Sequence, residues 1–154
     1  MAELKTQGTE IFLLDSTDSG NEVRKIGKVT GTGDLGGSAG EIDITNFDSL
    51  AKEYVVGLKD NGTVTIPYNY DPQDSTQTTI KGLEGGANKR FVIACSEAVT
   101  DPTFTSVFVI PTDRTTFDFT AGVQSMTKAA GTDDVWRGTI TLRISGAITE
   151  QVAV

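Results

Sequence analysis

No histidine occurs among the 154 residues of this sequence. Its absence removes Ser–His–Asp and Cys–His catalysis, the commonest transition-metal ligand and the usual pH switch near neutrality. A single cysteine, Cys95, excludes an intrachain disulfide, so nothing demands an oxidising compartment. It ends the apolar run Phe91-Val92-Ile93-Ala94-Cys95, where a buried, inert thiol is expected rather than a nucleophile. Positive charge is also short. Lys and Arg number 13 against 21 Asp and Glu, a formal net charge of −8, so a basic footprint for gripping nucleic acid is missing. No apolar run approaches the ~18 residues of a membrane span. The N-terminal stretch Met1–Gly8 lacks the apolar centre of a signal peptide. The expectation is a protein made soluble in the cytoplasm, with no membrane partner.

Hydrophobic residues make up 37% and charged residues 22%, a composition that folds, and the length suits one domain spanning 1–154. Threonine and glycine are conspicuous and proline is scarce, which favours pleated strands and turns. Period-two alternation recurs. Val64, Ile66, Tyr68 and Tyr70 share one face of a strand over 63–70, and Phe117, Phe119, Ala121 and Val123 share a face over 115–124. Trp136, Ile140, Leu142 and Ile144 face one way, opposite Arg137, Thr139, Thr141 and Arg143, which makes Trp136 a core anchor. Ile42 and Ile44 should likewise turn inward, against Asp43 and Thr45. Segments 10–15 and 91–95 are apolar on both faces, so each should be covered on both sides. Segment 103–110 reads as one further apolar strand, and 49–58 as irregular. Asn61-Gly62 signals a hairpin turn. One helix, near 75–84, is capped by Asp74, with Gln77 completing a loose capping box and Gly85-Gly86 as the stop. About eight strands and one short helix define an all-β, sandwich- or barrel-like fold.

The chemical motifs lose to plain structural readings. Gly31-Thr32-Gly33-Asp34-Leu35-Gly36 spells a dinucleotide pattern, but a strand follows where a helix must meet the pyrophosphate. The stretch 23–40 reads instead as a long, glycine-dense hairpin loop. Asp15–Glu22 resembles a calcium loop, yet its twelfth position is Ile26 and not a carboxylate. No catalytic residue, metal ligand or cofactor is expected. Trp136 with Tyr68 or Tyr70 leaves open a carbohydrate-binding sandwich.

Two stretches carry a family resemblance. Gly40–Gly62 (GEIDITNFDSLAKEYVVGLKDNG) and Asp133–Gly146 (DDVWRGTITLRISG) resemble strands and turns of the major tail tube proteins of long-tailed bacteriophages. The helix after Asp74 and the strand Phe117–Gln124 (FDFTAGVQ) agree in order and spacing, so the likeness runs from about Glu10 to Gly146. It implies a structural virion protein of the tail and not an enzyme. It further implies hexameric rings stacked into a tube, polymerised on a tape measure protein and meeting terminator and tip proteins. DNA would pass through the lumen without specific binding. By position, residues 1–9 correspond to a flexible N-terminal arm and 23–40 to the loop between rings, with Gly31, Gly33, Asp34, Leu35 and Gly36 at its centre. Residues 147–154 form a short C-terminal tail, without the extra immunoglobulin-like domain of some relatives. A terminator or a secretion-tube subunit on the same fold is the nearest alternative. Asp43, Asp48 and Asp118 are the candidate channel-lining carboxylates, since alternation turns them away from the core. That side is either the bore or the outer wall.

Overall fold

The computed structural model describes residues 3–17 and 20–154. Met1 and Ala2 of the expected arm, and Asp18 and Ser19 of the calcium-like turn, lie outside the described residues. The frame is an antiparallel six-stranded sheet in the order β2-β1-β6-β9-β10-β5. Its strands are β1 (Glu10–Thr17), β2 (Gly20–Lys25), β5 (Thr63–Asn69), β6 (Lys89–Ala94), β9 (Thr116–Ala129) and β10 (Arg137–Gln151). A separate hairpin pairs β3 (Ser38–Asp43) with β4 (Tyr54–Asp60), and a small one pairs β7 (Thr103–Phe104) with β8 (Phe108–Val109). The helix α1 spans Ser75–Gly82.

Alternation explains which side of the sheet is wet. Val64, Ile66 and Tyr68 of β5, Ile140, Leu142 and Ile144 of β10, and Phe119, Ala121 and Val123 of β9 are buried together beneath Ile80 of α1. Between Thr141 and Leu142 the register with β9 slips by one residue: Thr141 faces Ser125 and Leu142 faces Val123, so Gln124 is extra. This bulge returns Met126 to the core face, where strict alternation would not place it. On the opposite face a second cluster, Phe12, Leu14, Val92 and Ala94, packs under Phe108 and Ile110. The segments over 10–15 and 91–94 are therefore covered on both sides, as their unbroken apolar runs require.

Asp74 caps α1 by accepting from the backbone N–H groups of Thr76 (2.9 Å) and Gln77 (3.2 Å). Gln77 does not return to Asp74, as a capping box would need. Its amide accepts from the Asp71 N–H and donates to the Asn69 carbonyl, both at 3.0 Å, and so fixes the turn that leads out of β5.

The region 23–40 is not a hairpin loop. Its first residues finish β2 and its last begin β3, while 26–37 cross the sheet's end and strap the outer edge of β5. Ile26 donates to the Ile11 carbonyl of β1, Thr30 to Pro67 at 2.9 Å and Gly33 to Thr65 at 2.6 Å, while Asn69 donates to Lys28 at 2.8 Å. Glycine is needed here for close approach: a Cβ on Gly33 would sit 2.6 Å from Thr65 Oγ1, and one on Gly37 1.8 Å from the Asp60 carbonyl. Leu35 packs on the main core.

Other expectations change too. Segment 103–110 folds back on itself at Thr105–Val107, with the Phe104 and Phe108 rings 4.9 Å apart, so it is two short strands rather than one. Residues from Tyr54 onward form β4 rather than an irregular stretch. Asn61-Gly62 joins β4 to β5 without pairing them, and is a corner between two sheets rather than a hairpin turn. Residues 147–151 continue β10. Two further donations tie the remaining tail down, Val154 to Thr112 and Ala153 to Thr115.

Candidate functional site

The first surface is the β3–β4 hairpin. Among the described residues its strands pair only with each other, and nearly all of their side chains are exposed on both faces. Ile42 and Ile44 are about half exposed, against the inward orientation expected of them, and Val56 and Leu58 are exposed as well. At the tip Phe47 and Leu50 are fully exposed. That tip is nevertheless ordered by short-range hydrogen bonds. Thr45 exchanges bonds with Glu53, Ser49 donates to the Glu53 carboxylate at 2.6 Å, and Asn46 accepts from Asp48 N–H at 2.9 Å. Exposed apolar side chains on both faces and at the tip of an ordered arm mark an interaction surface.

The second surface is the polar face of β5, β10 and β9. Cross-strand rows read Thr65–Thr141–Ser125, Pro67–Thr139–Thr127 and Thr63–Arg143–Gly122. Its charges are answered locally. Arg143 reaches Asp60 at 2.8 Å, Arg137 reaches Asp134 at 3.2 Å, and Arg90 binds Asp118 through two nitrogens, the Nε contact being 2.9 Å. The Asp118 hydrogen bond holds the Arg90 guanidinium above its ordinary value, against the opposing effect of burial.

The three candidate carboxylates are therefore not a set. Asp118 lies on the sheet and is compensated by Arg90. Asp43 and Asp48 ride on the hairpin. The hydroxyl and N–H of Thr45 hold the Asp43 carboxyl below its usual range, and Lys52 stands 3.9 Å away. Of the candidate loop residues, Gly31, Gly33 and Leu35 belong to the strap on β5, with Asp34 and Gly36 carried beside them.

Trp136 is not a core anchor. It is 56% exposed, beside an exposed Val135, because β10 begins one residue later and the turn before it lies outside the core layer. Nor does Tyr68 make a sugar platform with it. Tyr68 is fully buried, and its hydroxyl donates to the Thr127 carbonyl at 2.9 Å.

The sequence reading missed Arg114. Its side chain is completely buried and donates to the carbonyls of Cys95 (2.7 Å), Ala94 (3.1 Å), Thr100 (3.2 Å) and Gly8 (3.4 Å), with the Glu10 carboxylate 3.4 Å away. It thereby fixes the start of β1, the end of β6 and the excursion carrying β7–β8. The N-terminal residues from Lys5 are held to the same place by Ser96, whose hydroxyl donates to the Lys5 carbonyl at 2.7 Å. An arginine between Asp113 and Thr115, outside any alternating run, gives no periodic signal of burial.

Among the described residues, no group of three or more Cys, Asp or Glu side chains is placed to hold a metal ion. A cleft of about 410 Å³ between Thr6–Thr9 and Val29–Thr32 contains no titratable side chain. Burial, with the nearby Glu97 carboxylate, pushes the Cys95 thiol up and disfavours the thiolate.

An all-β subunit whose prominent surfaces are an apolar arm and a charge-paired polar wall belongs to the class of structural, assembling proteins. The sequence matches the family described as "Phage tail tube, TTP, lambda-like" over residues 2–154. It is 25% identical over 150 residues to structural protein 3 of Pseudomonas phage PAJU2, covering 93% of this chain and 90% of that one. Among solved structures it resembles the tail tube of phage SPP1, with a TM-score of 0.68, 12% identity, and coverage of 99% of this chain and 81% of that one. It also resembles the tail of an empty gene transfer agent particle, refined with C6 symmetry: TM-score 0.62, 15% identity, 96% of this chain and 98% of that one. The chain belongs to the lambda-like phage tail tube family, and it is a structural subunit of a virion tail tube.

Proposed function

We propose that this protein is the major subunit of the tube, polymerising into stacked rings of six around a channel that conducts phage DNA. It carries out no chemical step. It is made soluble in the host cytoplasm, assembles on a tape measure protein, and the tube is closed by terminator and tip proteins. The observation that carries this reading is the β3–β4 hairpin: an ordered arm exposing Phe47, Leu50, Val56 and Leu58 without a core of its own. A neighbouring copy would cover it. Sixfold rings are supported by the C6 symmetry of the gene transfer agent tail.

The polar face of β5, β10 and β9 is the proposed bore wall, with Asp118 in it as half of an ion pair. Hydroxyls and paired charges leave phosphates no array of unpaired cations on which to displace counterions, so a DNA strand is not retained. This differs from a purely acidic wall, because compensation rather than repulsion then keeps the strand moving.

Negative-stain microscopy at rising protein concentration tests the proposal. Tubes should form from the wild-type protein and fail to form when residues 44–53 are replaced by a two-residue turn, with the shortened monomer still folded. A wild-type protein that stays monomeric at every concentration, or a shortened variant that still makes tubes, would overturn it.

A further inference from the structure

Asn61-Gly62 is the single Asn–Gly step in the sequence; Asn21, Asn46, Asn69 and Asn88 precede Glu, Phe, Tyr and Lys. An asparagine before glycine is the step most open to deamidation, because no Cβ obstructs the approach of the following backbone nitrogen. In that reaction the Gly62 nitrogen loses its proton to solvent and bonds to Cγ of Asn61. The bond from Cγ to Nδ2 breaks, and the nitrogen takes up a proton and leaves as ammonia. Water then opens the five-membered imide at either carbonyl, giving aspartate or isoaspartate. Water is the only other reactant.

The corner opposes each of these steps. Gly62 N–H donates to the Asp60 carboxylate at 2.8 Å, so the amide that must become an anion faces a negative charge already in place. That hydrogen bond, with one from Arg143, holds the Asp60 carboxyl below its ordinary value, which makes it a poor acceptor for the proton. Nδ2 of Asn61 donates to the Gly146 carbonyl at 2.6 Å, tying the side chain to β10. On Oδ1, where negative charge gathers as the ring closes, no hydrogen bond falls among the described residues, and the atom is buried. Without a donor that charge is not stabilised. The residue as a whole is 7% exposed, and the Gly62 carbonyl is held by Ile144 N–H at 3.0 Å.

We propose that Asn61 is a latent site of spontaneous deamidation, closed by Asp60 and Gly146 and exposed whenever the corner lets go. Conversion at residue 61 is then a covalent record of how often the corner opens. The change runs one way. An aspartate at 61 cannot donate to the Gly146 carbonyl, and it sets a second carboxylate next to Asp60. Isoaspartate also adds one methylene to the main chain between β4 and β5, so the hairpin leaves the sheet along a different line.

Peptide mapping by mass spectrometry, on protein held at mildly alkaline pH, reads conversion at residue 61 and separates aspartate from isoaspartate. The folded wild type should convert at least about tenfold more slowly than the same chain in urea, the ratio following the population of the open corner. Asp60→Ala, with amide exchange in β5, β9 and β10 like that of the wild type, should convert at least about fivefold faster than the folded wild type. Arg143→Gln frees Asp60 from β10 but leaves its bond to Gly62, so its rate should fall between the two, and it carries the test if Asp60→Ala does not fold. A folded wild type as reactive as the chain in urea, or both variants at the wild-type rate, would overturn the closed corner. Slower conversion in Asp60→Ala would make Asp60 the base for the Gly62 proton and would overturn its closing role. No conversion at residue 61 in urea would overturn the site itself.

Discussion

Strands β4 and β5 are each seven residues long and are separated by two residues. Both are rich in the same side-chain types. In β5 (TVTIPYN) the residues Val64, Ile66 and Tyr68 are completely buried, whereas in β4 (YVVGLKD) Tyr54, Val55, Val56 and Leu58 are all exposed. Composition and propensity do not separate the two. Partners do: β5 pairs with β10 under a helix, and β4, among the described residues, pairs with β3 alone. Burial of the β5 side chains is used in folding one chain, whereas that of the β4 side chains is left unused within it.

The contrast can be tested from its largest effect down. Phe91→Ala, beneath the sheet and stacked 6.0 Å from Phe119, should cost about 3–5 kcal/mol of monomer stability in a denaturant melt. A loss under 1 kcal/mol would mean that the sheet face is not the core. Arg114→Met should cost about 1–3 kcal/mol for each buried carbonyl it leaves unpaired, and amide exchange should rise around 8–10 and 94–100. Uniform exchange across the chain would instead make Arg114 a general packing residue. Gly33→Ala, forced against Thr65, should cost about 1–3 kcal/mol, whereas Gly40→Ala, with nothing within 4 Å of its Cβ, should stay within about 0.5 kcal/mol. Equal melting of the two variants would show that the strap is loose. Phe47→Ser with Leu50→Ser should move monomer stability by no more than about 0.5 kcal/mol and yet abolish tubes. A large fall in monomer stability would place the tip inside a core.

An acid titration sharpens the same picture at lower amplitude. Burial alone would raise the Glu10 carboxyl, but the hydrogen bond and charge of Lys25, 3.0 Å away, and the charge of Arg114 outweigh it and hold it below its ordinary value of 4.5. The folded-state pKa is depressed, so the stabilisation is complete above the unfolded value and is lost as pH falls through the folded one. Glu10→Gln should flatten the stability profile below pH 4.5 and leave the slope above it unchanged.

Where alternation met a paired partner strand, the sequence was legible. The buried faces of β5, β9 and β10, the double coverage of β1 and β6, and the Asp74 cap all follow from local pattern. Period two continued to read Ile42 and Ile44 as inward because it reports only that residues share a face, not that anything covers it. Trp136 failed for a related reason: the phase of β10 was extended one residue past its start, into a turn. Glycine density in 31–40 reads as a loop, whereas Gly33 and Gly37 are there for close contact. The glycine pattern itself cannot distinguish the two cases, because both call for a missing Cβ. The tail tube family was legible from turns and the last strand, whereas the placement of the candidate carboxylates was not.

The corner at Asn61-Gly62 is narrow but heavily tied. Gly62 takes φ 66° and donates to Asp60 at 2.8 Å, Asn61 donates to the Gly146 carbonyl at 2.6 Å, and Asp60 is gripped by Arg143. The paired strands of the hairpin, six and seven residues long, span roughly 20 Å from that corner. The corner therefore works as the fulcrum of a lever: a rotation of about 5° there swings the tip by about 2 Å over that reach. If copies stack through such tips, bending of the column would be taken up where the hairpin joins the sheet, at this corner and at the Gly37 end of β3.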